Sequence, residues 1–195
     1  MLWGAYAGES GLLKQRCNSY NPGFTQPGIH RMQYDRIFCF GDSITLGCND
    51  SRGLGWPGRL GRGLRNGDRS VAIYNLGING DTSAHIAARW RAEALARSRN
   101  AAALMLFAFG FNDASAADGG ELQVALDDSV NNARAIISAA KSSGELLWIG
   151  PTPLDESVNP LQTPYASWIT SNTDIERYDA AYAELAQSLG VDYLR

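Results

Sequence analysis

The sequence lacks any apolar run that approaches the roughly 18–20 residues needed to cross a bilayer, so it predicts no membrane span. It contains only three cysteines, Cys17, Cys39 and Cys48, and no C-x-x-C pair, which supports neither a disulfide framework nor a zinc site. No block of Lys and Arg is present, and 17 basic against 20 acidic residues give a formal charge of −3. This balance argues against a nucleic-acid or anionic-membrane partner. We therefore expect a reduced, soluble, cytoplasmic protein.

What the chain does contain is enough apolar sequence for one core. It has 195 residues, 45% of them in the hydrophobic set, which suits a single domain. Residues 1–31 differ from the rest, because they are rich in turn formers and show no periodicity. We expect this segment to be a poorly ordered leader without chemistry, and residues 32–195 to form the domain.

From residue 35 onward, short apolar runs alternate with helical patterns. The runs are nearly continuous rather than alternating, as in parallel strands buried on both faces; they cover 36–40, 71–76, 103–109, 146–149 and 191–194. Between them, apolar residues recur at steps of three and four, which predicts helices near 56–66, 82–98, 122–140 and 173–189. Thr173 and Glu176 are spaced as a capping box for the last helix. The pattern predicts an α/β protein, a three-layer α/β/α sandwich with a five-stranded parallel sheet.

Three polar loops follow the first three predicted strands, at 41–47, 75–83 and 110–113. In a parallel sheet these loops lie at the same edge, where function gathers, so Ser43, Gly80 and Asn112 should come together. Each has a use in acyl transfer: a hydroxyl nucleophile, a backbone N–H that a substrate approaches closely, and a neutral amide donor. Donors aimed at a developing oxyanion are typically worth ~10²–10³ in turnover each.

Each of these signals has a simpler interpretation when it is taken alone. Gly41-Asp42-Ser43 is a common turn sequence. Gly80 could serve only to allow a positive φ, and Asn112-Asp113 could simply begin another turn. We place Asp42 and Asp113 as candidate substrate-binding residues. For Asp42 we favour the alternative that its side chain braces the turn through nearby N–H groups.

These residues carry a family resemblance. The sequence resembles the SGNH hydrolases, also called the GDSL esterase/lipase family, in Gly41-Asp42-Ser43, in Gly80 of 79–82, and in the G-x-N-D motif of 110–113. Ile44 replaces the leucine of the family name. The resemblance covers residues 36–195 and implies the flavodoxin-like strand order 2-1-3-4-5. It implies Ser43 as the nucleophile and an oxyanion hole of the Ser43 and Gly80 N–H groups with the Asn112 amide. The implied reaction is hydrolysis of a small-molecule ester or thioester without metal or cofactor.

The family's remaining motif, D-x-x-H, supplies the general base and is not found in this sequence. The two histidines are His30, in the expected leader, and His85, for which a capping or exposed role fits better. We expect a D-x-x-H motif in a segment beyond Arg195, and negligible activity from the present chain, since a serine without a base is a poor nucleophile.

One segment and the function itself have more than one interpretation. The segment 151–170 is long for a connecting loop, and a pocket wall and an uncommitted surface loop are equally good interpretations. A non-catalytic domain that keeps the oxyanion cradle is the main alternative function. A phosphate- or flavin-binding domain ranks last, because neither glycine-rich phosphate motif is present. The exact ester and the oligomeric state are not specified by the sequence.

Overall fold

The computed structural model describes residues 34–64, 71–99, 101–163 and 166–195. The predicted leader, 1–31, lies outside these described residues. The strands are Arg36–Gly41 (β1), Ala72–Gly77 (β2), Ala103–Ala108 (β3), Ser115–Ala117 (β4), Glu145–Ile149 (β5), Leu161–Gln162 (β6), Ser167–Thr170 (β7) and Tyr193–Leu194 (β8). The α-helices are Ser43–Leu46 (α1), Gly55–Leu64 (α2), Ser83–Ser98 (α3), Leu126–Ser143 (α4) and Asn172–Leu189 (α5), and a 3₁₀ turn spans Glu156–Val158.

The main sheet has five parallel strands in the order β2-β1-β3-β5-β8. These are the five strands that the sequence predicts, and their order along the sheet is the predicted 2-1-3-4-5. Strand β1 lies inside the sheet, β2 forms one edge beside it, and the chain then crosses back to β3 on the other side of β1. The order therefore reverses beside β1, which places the switch point at the ends of β1 and β3.

The sheet is buried on both faces, which explains the near-continuous apolar runs. One face carries Phe38, Phe40, Phe107 and Trp148 and packs against the apolar stripes of α3, α4 and α5. The other face packs against α2 through smaller side chains; its members are Ile37, Cys39, Leu104, Leu106 and Leu147. Successive residues alternate between the two faces, as strand geometry requires. The molecule is thus the expected three-layer α/β/α sandwich.

Two strands of a second, smaller sheet, β6 and β7, lie in the segment 151–170, for which the sequence predicts a long loop. This sheet is antiparallel in the order β4-β7-β6, with Ser115 paired to Thr170 and Leu161 paired to Trp168. The side chain of Asn159 donates to the Thr170 carbonyl at 2.7 Å and ties the start of this hairpin to its end. Because β4 begins three residues after Asn112, this small sheet adjoins the third polar loop.

Two predicted helix starts are wrong. Helix α5 is capped by Ser171, whose side chain accepts from the Asp174 N–H at 3.0 Å, and not by a box of Thr173 and Glu176. Helix α4 begins at Leu126 and not near 122, because Leu122 is held in an antiparallel bridge to Ala116. In both cases a hydrogen bond made just before the helix determines where it starts.

Candidate active site

The three polar loops leave the sheet from neighbouring strand ends at the same level. Gly41, the last residue of β1, is in register with Gly77 on one side and with Ala108 on the other. The Ile78 N–H also donates to the Gly41 carbonyl at 3.0 Å. Adjacent strands lie roughly 4.8 Å apart, so the first residues of the three loops are immediate neighbours.

Ser43 is the first residue of the short helix α1, directly after the end of β1. Asp42 caps this helix, and its carboxylate accepts from the Ile44 N–H at 2.9 Å. At the first position of a helix the N–H has no partner inside the helix. Ser43 is half-buried, and within the described ranges its hydroxyl makes no hydrogen bond. In the described part of the chain, neither the hydroxyl nor the N–H of Ser43 therefore has a hydrogen-bond partner.

Glycines allow the second loop to approach the first. A Cβ on Gly77 would lie 2.2 Å from the backbone nitrogen of Leu46 in α1, so only glycine permits this contact. Gly80 has φ +80°, in the left-handed region that favours glycine, and no atom lies within 4 Å of where its Cβ would be. Its N–H has no hydrogen-bond acceptor in the described part of the chain.

Asn112 joins the third loop to the second. Its side-chain Nδ2 donates to the Asp81 carbonyl, directly after Gly80, at 2.8 Å. An amide NH₂ has two hydrogens, so one remains for another acceptor. Ser43, Gly80 and Asn112, which the sequence predicts to converge, therefore lie on three loops that contact one another at one edge of the sheet.

Asp42 is only 2% exposed, and it braces the turn before Ser43 as the favoured interpretation holds. Burial raises its pKa to about 7, and the negative charge of Asp113 adds a little to the same effect. Desolvation disfavours the charged carboxylate more strongly than the N–H of Ile44 favours it. Asp42 is thus buried and bonded to its own loop, and it stabilises the turn before Ser43.

Asp113 is completely buried, which does not support its predicted contact with a substrate. One oxygen accepts from the Ser83 N–H at the start of α3, at 2.7 Å. The other accepts from the hydroxyl groups of Ser129 and Tyr182. The carboxylate thus connects the loop after β3 to α3, α4 and α5, and it fixes the position of that loop.

Arg89 and Asp81 are site residues that the sequence analysis missed. Arg89 of α3 donates to the Asp81 carboxylate at 2.7 Å and to the Gly41 carbonyl at 3.0 Å. Asp81 precedes the first residue of α3 by two positions, so no helical spacing relates it to Arg89. The Gly41 partner gives no sequence signal.

The remaining candidate side chains have ordinary surroundings. His85 is exposed, and its Nδ1 accepts from the Thr82 N–H at 3.2 Å, which is the expected capping role. Cys48 is exposed in the loop after Ser43 and Cys39 is buried in β1.

Residues 34–64, 71–99, 101–163 and 166–195 contain no group of three or more His, Cys, Asp or Glu placed to share a metal ion. Over the same ranges, no helix combines the length and apolar character that crossing a bilayer requires.

The fold and the three converging loops define a class, an α/β protein with a candidate serine-based site at the carboxyl ends of its strands. The chain matches the GDSL-like lipase/acylhydrolase family over residues 39–195, and it belongs to that family. No curated protein matches the chain by sequence.

Solved structures share the fold. A lipase/acylhydrolase from Enterococcus faecalis is 22% identical with a TM-score of 0.62; the match covers 82% of this chain and 75% of that one. A catalytic mutant of an acetylxylan esterase from Geobacillus stearothermophilus is 18% identical with a TM-score of 0.60, covering 83% and 75%. The SGNH-hydrolase family esterase AlinE4 is 20% identical with a TM-score of 0.61, also covering 83% and 75%. At these identities the likeness establishes the fold.

Proposed function

We propose that this protein is a serine hydrolase that cleaves a small carboxylic ester or thioester through an acyl-enzyme. Membership of the GDSL-like family supports ester hydrolysis in general. The finer assignment rests on one observation, the bond from the Asn112 amide to the carbonyl that follows Gly80. This bond joins the second and third loops, and these loops follow the strand ends that flank Gly41, two residues before Ser43.

In the proposed reaction, the Ser43 oxygen attacks the substrate carbonyl carbon, and a general base takes the hydroxyl proton. The carbonyl oxygen becomes an oxyanion, which the Ser43 N–H, the Gly80 N–H and the free Asn112 hydrogen stabilise. The carbon–oxygen or carbon–sulfur bond then breaks, and the leaving group takes the proton from the base. Water repeats the sequence on the acyl-enzyme and releases the acid.

We propose that the base is the histidine of a D-x-x-H motif in a segment beyond residue 195. Strand β8 runs parallel to β5, with Ile149 in register with Leu194, so the chain reaches Arg195 at the same sheet edge as Ser43. A segment that continues from there has a short path to the site. His85 is not our candidate, because its Nδ1 is engaged in the cap of α3.

The substrate class that fits is a small-molecule ester. The names of the similar structures include an acetylxylan esterase and a lipase/acylhydrolase, so acetylated sugars and acyl esters are both suitable first substrates. The proposal includes no cofactor, because the donors and the nucleophile all come from the chain.

A fluorophosphonate probe tests the proposal, since it reacts only with an activated serine. The gene sequence past codon 195 identifies the segment to include, and the extended protein is compared with the 195-residue chain. We expect mass spectrometry to find the adduct on Ser43 of the extended protein, with hydrolysis of p-nitrophenyl acetate, and little of either in the shorter chain. Ser43→Ala should abolish both, whereas Ser142→Ala, on the exposed far end of α4, should change neither.

An extended protein that carries D-x-x-H but shows no adduct on Ser43 would refute the catalytic assignment. The same result, with retained binding of a carboxylate or boronate ligand, would indicate a non-catalytic ligand-binding domain. An adduct on Ser142 or another surface serine would show that the probe reacts without regard to the site.

A further inference from the structure

We propose that Arg89 is a positioning residue that sets the distance between the loop carrying Ser43 and the loop carrying Gly80. This inference rests on the proposed function, because it concerns the geometry of the oxyanion hole. Arg89 lies on α3 and touches neither a substrate nor the reacting atoms in our mechanism. Its effect is exerted through the two loops that it joins.

The contacts of Arg89 reach both loops at once. Its Nη2 donates to the Gly41 carbonyl at 3.0 Å, two residues before Ser43. Its Nε donates to the Asp81 carboxylate at 2.7 Å, one residue after Gly80. A planar guanidinium has its donors in fixed directions, so one rigid group spans the two loop positions.

The guanidinium is itself held from a third side. Its Nη1 donates to Glu93, one turn further along α3, at 3.0 Å. The side chains of Arg89 and Asp81 are 16% and 11% exposed, respectively. At such low exposure solvent screening is weak, and a charge-assisted hydrogen bond is stronger than a neutral one. The hydrogen bonds from Arg89 to Gly41 and Asp81, called the clamp below, are therefore anchored on a sixteen-residue helix.

Asp81 connects this clamp to the third donor of the oxyanion hole. Its carboxylate accepts from Arg89, and its backbone carbonyl accepts from the Asn112 amide. The same residue thus holds the second loop by its side chain and the third loop by its main chain. A shift of Asp81 would displace the Gly80 N–H and turn the Asn112 amide, while Ser43 stays with β1.

Loss of the clamp should therefore lower kcat more than it raises KM. The three donors matter most when the oxyanion forms, and a displacement of about 1 Å can cost on the order of 10² in rate. A purely structural role predicts a different result, in which activity per folded molecule is unchanged. A fall in kcat per folded molecule that exceeds the change in KM indicates positioning, and an unchanged kcat per folded molecule indicates a structural role.

Arg97 provides a matched control on the same helix. Arg97 donates to the Glu93 carbonyl at 2.9 Å and lies 3.7 Å from a Glu93 carboxylate oxygen, and in the described residues it contacts neither loop. Its removal therefore tests the loss of a Glu93 contact while the contacts of Arg89 with the two loops are kept. We compare Arg89→Met, Arg89→Lys and Arg97→Met in the esterase-competent protein. We expect Arg89→Met to lower kcat by roughly 10–100-fold with little change in KM, and Arg97→Met to leave both unchanged. Arg89→Lys should recover part of the loss, because one ammonium can reach one partner but not span two.

Amide hydrogen exchange gives a readout that does not depend on activity. The Ile78 N–H bonds to the Gly41 carbonyl, and the Asp81 N–H to the Ile78 carbonyl. Both should exchange faster in Arg89→Met than in Arg97→Met. An inactive parent protein with faster exchange in Arg89→Met would refute the esterase assignment and support the clamp. Unchanged exchange, or a kcat loss that merely follows the unfolded fraction, would overturn the inference about Arg89.

Discussion

Asp42→Asn should remove a pH dependence of folding stability that comes from one buried carboxyl. The carboxyl is 2% exposed, and burial raises its pKa from 3.8 to about 7. Between these values the folded state binds more protons than the unfolded state, so its stability must fall as the pH rises. Below about 4 both states are protonated, and above about 7 both are ionised, so the slope is confined to this window.

The size of the effect follows from the shift. About three pKa units at 1.36 kcal/mol each correspond to about 4 kcal/mol between pH 4 and pH 8. Asparagine keeps a side-chain oxygen for the Ile44 N–H and is as good an N-cap as aspartate, but it does not ionise. The free energy of unfolding of Asp42→Asn should lack this decrease, and the variant should gain on the parent protein as the pH rises.

Urea unfolding at a series of pH values across this window measures the effect. The quantity to compare is the change in unfolding free energy between the ends of the window, because any constant cost of the substitution cancels. Asp155→Asn is the control: its side chain lies at the surface, and the Ser157 side chain and N–H lower its pKa. Its contribution is lost only as the pH falls through that lowered pKa, below about 4. An Asp42→Asn slope equal to that of the parent protein would refute the reasoning.

Three further substitutions test the site. Gly80→Ala should destabilise by about 1 kcal/mol through its φ of +80° alone, since its Cβ meets nothing within 4 Å; a loss of several kcal/mol in urea unfolding would contradict this. Tyr182→Phe removes a buried hydroxyl that bonds Ser129 and Asp113 and should cost about 1–3 kcal/mol, with an unchanged urea midpoint as the contrary outcome. Asn112→Asp places a carboxylate at the proposed oxyanion hole and should lower kcat by ~10²–10³; near-normal turnover would exclude Asn112 as a donor.

Much of the fold follows from local sequence. The runs that became β1 and β3 are predictable because a strand buried on both faces needs apolar side chains at every position. The positions of Ser43, Gly80 and Asn112 follow for a related reason. Each stands just after such a run, and parallel strands place these points at one sheet edge. Their catalytic roles stay predictions.

The small sheet was not predictable in the same way. Its strands have two to four residues, too few for a period of two to show against the background of a loop. The start of α5, capped by Ser171, and the start of α4 at Leu126 were missed for a related reason. Each depends on a contact made just outside the helix, and spacing within the helix does not report it.

The α/β class, the five strands and the loops that hold the candidate site are all predictable from local sequence patterns. The burial of Asp113 and the bonds from Arg89 to two of those loops depend instead on how the layers pack. Tyr182 lies 69 positions from Asp113, and Gly41 lies 48 positions from Arg89. The periodicity of apolar residues indicates which face of a helix or strand is buried. A hydrogen bond between distant residues forms only when the layers pack, so its partners cannot be predicted from neighbouring residues.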